Sequence, residues 1–253
     1  MNLLLIAMPE VSFRVLAELN DFLPSDRRQV CFTHYFKERP SIKDTIEALG
    51  VPHPEVEAIA VNGKWVDFAY IIQDKDQISV YPVSEAANIQ NAVSLRSPLP
   101  QVKRFVLDIH LGKLAKSLRM LGFDTLYRND YHDDLLADIS SREGRILLTR
   151  DRGLLMRSIV TYGYYVRHTN PHKQLTEVFQ RFALKEGVAP LQRCLRCNGL
   201  LVPVAKESII DQLPPQVREQ VDKFYHCQQC QQVYWQGTHY ERMQEFIKSV
   251  VDK

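Results

Sequence analysis

The chain carries almost no net charge. Lys and Arg number 32 against 30 Asp and Glu in 253 residues, a formal balance of +2. Net charge alone therefore predicts no polyanionic partner, and any basic surface has to be local. No apolar run approaches the roughly 20 residues needed to cross a bilayer. The one stretch resembling a signal core, LLLIA at 3–7, has no basic flank and runs at once into Pro9 and Glu10. There is no internal repeat and no low-complexity segment. Cysteine is scarce, five in all, and without a secretion signal a disulfide framework is disfavoured. These absences predict a soluble cytoplasmic protein with no membrane association. What is present is ordinary: 45% hydrophobic and 25% charged residues, with length for about two domains.

Residues 1–83 read as one small unit. VSFRVLAEL is strand or short helix, which periodicity does not settle, and RRQVCFTHYF alternates enough for a strand. SIKDTIEALG has Ser41 as N-cap, apolar residues at 42, 46 and 49, and Gly50 as the stop. In EAIAVNGKWVDF, Asn62-Gly63 between apolar runs is a strong hairpin signal. DQISVYPV closes the unit as a strand. Two strands, a helix and further strands is the order of a β-grasp. Residues 84–100 lack strong periodicity, end with two prolines in three residues, and read as a linker.

From 101 the rhythm changes to RFVLD, a helix at 110–121, DTLYR, a helix at 133–143, RILLT, a short helix around 152–158, GYYVRHT and a helix at 171–186. Such alternation implies a parallel sheet covered on both faces, with sites outside the carboxyl ends of the strands. Asp108 ends the first strand, Asp151 lies just past the third, and RNDYHDD after the second supplies Asp130, Asp133 and Asp134. If the strands are neighbours, these carboxylates converge on one rim. Close carboxylates repel and need a cation; hard oxygen ligands suit Mg²⁺ or Mn²⁺. Such an ion activates water and stabilises charge on a phosphoryl group, which suggests phosphodiester hydrolysis. The competing reading is that each Asp simply caps the helix after it.

In the helix at 110–121, Leu111, Leu114, Ala115, Leu118 and Leu121 share one face. Lys113, Lys116 and Arg119 are expected on the opposite face, with His110 extending the stripe toward Asp108. Arg128, Arg150 and Arg152 bracket the other acids. Lys113, Lys116, Arg119, Arg150 and Arg152 are candidate phosphate contacts; a solvated face is the alternative.

CLRC at 194–197 and CQQC at 227–230 each present two thiolates across a tight turn. Cys194, Cys197, Cys227 and Cys230 suit tetrahedral Zn²⁺ in a closed structural site, and Asn198-Gly199 suits the turn. His226 and His239 could stand in as ligands, but four cysteines make that unnecessary. The 29 intervening residues exceed what a compact ribbon needs, and PPQVREQVDKF reads as a helix starting at Pro214-Pro215. THYERMQEFIKSVV reads as a terminal helix, with Thr238 and Glu241 as a capping box. Cys31 reads as a small buried hydrophobe.

FVLDIHLGKLAKSLRMLGFDTLYRND, DDLLADISSREGRILLTRDRGLL, RCLRCNGLLVPV and FYHCQQCQQVYWQGTHYERM together resemble the PIN-like RNase domain first noted at the C-terminus of Mut-seven-type exonucleases, over roughly 101–250. Residues 1–83, especially SIKDTIEALGVPHPEVEAIAVNGKWVDFAY, resemble the ubiquitin-like β-grasp domain often fused in front of it. The resemblance implies an α+β β-grasp domain at 1–83, a linker at 84–100, an α/β PIN-like parallel sheet at 101–190, and a zinc ribbon with a C-terminal helix at 191–253. It implies a nuclease centre binding Mg²⁺ or Mn²⁺ through Asp108, Asp133 and Asp151, with Asp130 and Asp134 as alternatives near Asp133. The fourth acid common in PIN domains is not placed between 152 and 190. Related sulfur carriers end in a free Gly-Gly. VYPV runs on without one, which argues against that chemistry and leaves docking of a protein partner open. The expected protein is a metal-dependent ribonuclease with structural zinc, acting on RNA. The rivals are a non-catalytic RNA-binding or adaptor protein and a phosphatase on the same kind of centre. The RNA and the oligomeric state are not legible.

Overall fold

The structure is a computed structural model. It describes residues 8–86, 89, 91–237, 240, 244, 245, 247 and 248. LLLIA and the capping box of Thr238 and Glu241 lie outside the described residues. Two compact units form, one of residues 1–99 with 151–165, the other of 100–150 with 166–253.

The first unit contains β1 (Glu10–Val15), β2 (Cys31–Tyr35), α1 (Ile42–Ala48), β3 (Ala58–Val61), β4 (Lys64–Val66), β5 (Gln77–Tyr81) and the short α2 (Val83–Ala86). The strands run in the order β2-β1-β5-β3-β4. β1 is parallel to β5 and antiparallel to β2, while β3 is antiparallel to both β4 and β5. This is the β-grasp arrangement. VSFRVLAEL divides between both readings. Val11, Phe13 and Val15 alternate into the core, and a 3-10 turn then takes Ala17–Phe22. The Ser41 hydroxyl accepts from the Asp44 N–H at 3.1 Å and caps α1. Asn62 and Gly63 both have positive φ, 50° and 76°, as a tight hairpin turn requires. Cys31 departs from expectation. It begins a strand at the sheet margin and is exposed. Nor is the stretch 84–100 wholly free of the unit, since the Leu95 N–H donates to the Glu57 carbonyl at 2.7 Å and its side chain packs on the core.

The second unit opens with β6 (Phe105–Leu107), α3 (Gly112–Met120), β7 (Thr125–Leu126), α4 (Asp133–Glu143) and β8 (Ile146–Thr149). β6 lies between β7 and β8 and is parallel to both. Every residue of β6 and β8 is buried, as a sheet covered on both faces demands. α4 ends at Gly144, whose φ of 60° makes a left-handed C-cap.

Residues 151–165 hold α5 (Arg152–Leu155) and β9 (Gly163–Tyr165), and by their contacts they group with the first unit. The reason is local bonding. The Tyr165 N–H donates to a Glu55 carboxylate oxygen at 2.6 Å, and the Tyr165 ring meets Phe22 edge-on at 5.2 Å. Arg152 Nη1 donates to the Phe22 carbonyl at 2.9 Å, and His53 Nε2 lies 3.1 Å from the Val160 carbonyl. The chain rejoins the second unit at Val166, whose N–H donates to the Thr149 carbonyl at 2.8 Å.

α6 (Pro171–Arg181) starts on an Asn170 cap and stops earlier than the expected 186, where Ala183 takes φ 48°. The ribbon follows: β10 (Leu201–Val204), α7 (Pro215–Gln220), β11 (Phe224–Cys227) and β12 (Val233–Trp235). Its three strands are antiparallel with β11 in the middle. The insertion has its own small core of Ile209, Leu213 and Phe224. Among the described residues, no helix is long and apolar enough to cross a membrane.

Candidate functional site

β6 ends at Leu107, so Asp108 emerges at the carboxyl end of an inner strand, between β7 and β8. Its side chain sits in a residue only 4% exposed. Oδ1 accepts from the His110 N–H at 2.8 Å. Oδ2 accepts from the Arg150 N–H at 2.9 Å and from the Thr149 hydroxyl. Asp108 therefore caps the turn that follows it and also ties β6 to the end of β8. A carboxylate has about four acceptor sites, so three donors leave one. Thr149 is a further neighbour of Asp108. Its signal is a hydroxyl residue closing the apolar run ILLT.

Asp133 is exposed at the first position of α4, with Asp134 exposed beside it. Asp130 is exposed and bound to Arg128 by hydrogen bonds of 2.9 and 2.6 Å. The guanidinium holds its carboxyl below the usual range, so Asp130 is already partnered where Asp133 is the helix-opening acid. Asp151, in the first unit, is exposed. Its Oδ1 accepts from the N–H groups of Gly153 and Leu154 at 2.7 and 3.3 Å, capping α5. Within the described part of the second unit, no three acidic residues close on a common point. Glu177 on α6 is a carboxylate in the interval left open by the sequence. It accepts from the N–H groups of Arg167 and His168 at 2.8 and 3.1 Å and steadies the loop after β9.

Lys113 and Lys116 are exposed on α3 as expected. Arg119 is not, and its expected phosphate contact falls away. It is 4% exposed, on the row of Ala115 and Leu111 four and eight residues earlier. Its guanidinium donates to the carbonyls of Thr125 at 2.9 Å, Leu195 at 3.3 Å and Arg196 at 3.1 Å. Arg150 is likewise committed. Its Nη1 donates to the carbonyls of Val166, Arg167 and His168 at 2.7, 2.8 and 2.9 Å. Both bind backbone because turns leave carbonyls that only a multi-donor side chain can satisfy together. Arg152 is exposed, with one nitrogen already on the Phe22 carbonyl.

The four ribbon cysteines do converge. Their sulfurs all lie within 4.8 Å of one another, with Cys194 to Cys230 at 3.6 Å and Cys197 to Cys227 at 3.3 Å. A tetrahedral ion with Zn–S of about 2.3 Å sets sulfurs about 3.8 Å apart, so the donor set fits Zn²⁺. Burial pushes the Cys197 thiol up to about 12, reinforced by hydrogen bonds with the other thiols. Burial also opposes ionisation of Cys194, yet the Tyr234 hydroxyl at 3.1 Å and the N–H groups of Cys197 and Arg196 bring it down to about 7. The two turns are alike. The Asn198 N–H bonds the Cys194 carbonyl at 2.9 Å, and the Gln231 N–H bonds the Cys227 carbonyl at 3.0 Å. Asn198 and Gln231 both have positive φ, 72° and 59°. Gly199 is required, since a Cβ there would stand 2.8 Å from Cys227 Sγ. His226 is not among the converging ligands, and His239 lies outside the described residues.

The first knuckle is bonded to the sheet domain. Asn198 Oδ1 accepts from the Thr125 N–H at 2.9 Å, and its Nδ2 donates to Asp124 at 2.8 Å. Asp124 also receives Arg145 at 2.8 Å and lies 3.5 Å from Arg193.

Comparison with known families follows this division. The Mut7-C RNAse domain model matches residues 103–247, and the Mut7-C ubiquitin model matches residues 8–88. No curated protein and no solved structure matches the chain. With a parallel sheet carrying Asp108 at the end of an inner strand, a four-cysteine ribbon joined to it and a β-grasp earlier in the chain, the chain belongs to the Mut7-C RNAse domain family.

Proposed function

We propose that the protein is a metal-dependent ribonuclease. The family match over 103–247 carries the reading, and the position of Asp108 at the carboxyl end of β6 supports it. Asp108, Asp133 and Asp151 are the proposed ligands of Mg²⁺ or Mn²⁺. Such an ion, when bound, supplies an activated water and stabilises charge on phosphorus. Thr149, the Arg150 N–H and the His110 N–H hold the Asp108 carboxylate in one orientation, leaving an acceptor site for the metal. Lys113 and Lys116 hold the RNA phosphates. Zn²⁺ in the ribbon is structural, because four thiolates leave no open position. The β-grasp unit offers a protein-docking surface.

Asp151→Asn is the informative variant. Asparagine caps a helix as well as aspartate, so α5 persists while a charge is lost. RNA cleavage with Mg²⁺ or Mn²⁺ should fall by at least about a hundredfold, as for other groups acting in the transition state. Full activity in a preparation free of contaminating nuclease would end the assignment.

A second reading, a non-catalytic RNA-binding adaptor, draws on one observation. Asp108 and Asp151 both make good caps without any metal. Calorimetry with Mn²⁺ distinguishes the two, since an adaptor has no need to bind it.

A further inference from the structure

We propose that the ribbon end of the second unit holds an unpaired RNA base. The choice of RNA rests on the ribonuclease reading; the pocket rests on what lines it. A cavity of about 680 Å³ is walled by Lys116 of α3 and by ribbon residues including Arg196, Tyr234, Trp235 and Tyr240, a volume usual for small-ligand sites. A second cavity of about 390 Å³ lies along α3, lined by Lys113, Lys116 and His172. Lys116 belongs to both walls, so the cavities share a cation. Among the described residues no carboxylate lines either one.

Aromatic faces set between cations match a single strand, which alternates a flat base with a phosphate. Trp235 is built as a platform. It is half-buried against Ile209, Leu213 and Phe224, so its ring is held in place. Gly237 keeps the indole edge clear, because a Cβ there would sit 3.1 Å from Nε1. The base stacks on Trp235, Arg196 and Lys116 take the flanking phosphates, and the strand runs past Lys113 toward the start of α3, where Asp108 lies.

Trp65 and Trp235 are the two tryptophans of the chain, so in Trp65→Phe the emission reports Trp235 alone. The full chain, loaded with zinc and free of other divalent ions, is titrated with a short single-stranded oligoribonucleotide and with an abasic strand of equal length. The expected result is quenching by the first and none by the second. Trp235→Leu should bind RNA about 5- to 150-fold more weakly, the worth of one stacked base, and no better than it binds the abasic strand. Arg196 is exposed, so Arg196→Ala, also expected to weaken binding, serves if Trp235→Leu does not fold. RNA binding with unchanged emission, equal quenching by the abasic strand, or no binding of any strand overturns the pocket, the last leaving it to a protein ligand. RNA that quenches Trp235 but is not cut with Mg²⁺ or Mn²⁺ defeats the ribonuclease reading alone. Cleavage without quenching defeats the pocket alone.

Discussion

Arg119 donates to the carbonyl of Arg196 at 3.1 Å, joining the last turn of α3 to the middle of the first zinc knuckle. The same guanidinium reaches the Leu195 and Thr125 carbonyls. Arg119→Ala leaves the buried Thr125 carbonyl and the two part-buried knuckle carbonyls without this donor, at about 1–3 kcal/mol where water does not replace it. The expected outcome is a loss of at least about 2 kcal/mol and faster zinc release to a chelator. Arg119→Lys should not restore stability, because an ammonium cannot span three carbonyls in a fork. Melts and release kinetics matching wild type in either variant would show the contact to be idle.

Zinc removal should be felt beyond the ribbon. Purified protein should carry about one equivalent of zinc, and chelation should unfold 191–237, since structural zinc contributes directly to folding. The Thr125 N–H is bonded to Asn198 of the knuckle. Its hydrogen exchange should therefore accelerate with that of the ribbon, while amides of β3 and β5 stay protected. A Thr125 amide indifferent to chelation would show the two parts to be independent.

Asp124 predicts a pH dependence. Burial acts to raise its carboxyl pKa, but hydrogen bonds from Arg145 and Asn198 and the charges of Arg145 and Arg193 outweigh burial and hold it below the ordinary value. A depressed carboxyl stabilises the fold above its unfolded pKa of about 3.9 and loses that contribution as pH falls through the lower folded value. Asp124→Asn should thus be less stable than wild type at neutral pH, with the gap closing below about pH 4. Zinc loss in acid affects both proteins, so the difference between their denaturation curves is the quantity to follow. A gap that widens in acid would contradict the sign.

The Asp108→Asn variant should behave differently from Asp151→Asn. Asp108 accepts from three donors in a buried position. An amide there turns an NH₂ toward a donor, at about 1–3 kcal/mol. Activity should vanish in both, but only Asp108→Asn should lower the melting temperature. Equal stability of the two would remove the special status given to the Asp108 cluster.

Gly122 has φ of 98°, and a Cβ there would stand 2.1 Å from the Ala189 carbonyl oxygen. Gly122→Ala should cost more than about 2 kcal/mol, combining strain with a backbone clash. Urea denaturation is the measurement, and a change within about 0.5 kcal/mol would mean that the approach is not tight.

Features set by neighbours along the chain were legible without coordinates. α4 occupies the expected 133–143 because an acidic first turn, apolar spacing and Gly144 all act within the helix itself. The Ser41 cap and the Asn62-Gly63 turn are equally local, and two CxxC turns need only each other to form one four-sulfur cluster able to hold a metal. Tertiary structure decided the rest. Arg119 follows Lys113 and Lys116 at threes and looks like their continuation, yet it is buried by carbonyls 76 and 77 residues away. Arg150 brackets the acids in sequence, yet its Nη1 is taken by the carbonyls of Val166, Arg167 and His168. Residues 151–165 follow a strand of the sheet domain but bond to Phe22, His53 and Glu55 of the first unit. Periodicity records which side of an element avoids water. It does not record which distant backbone will come to need a donor, because that need arises only when loops far apart in sequence are buried together.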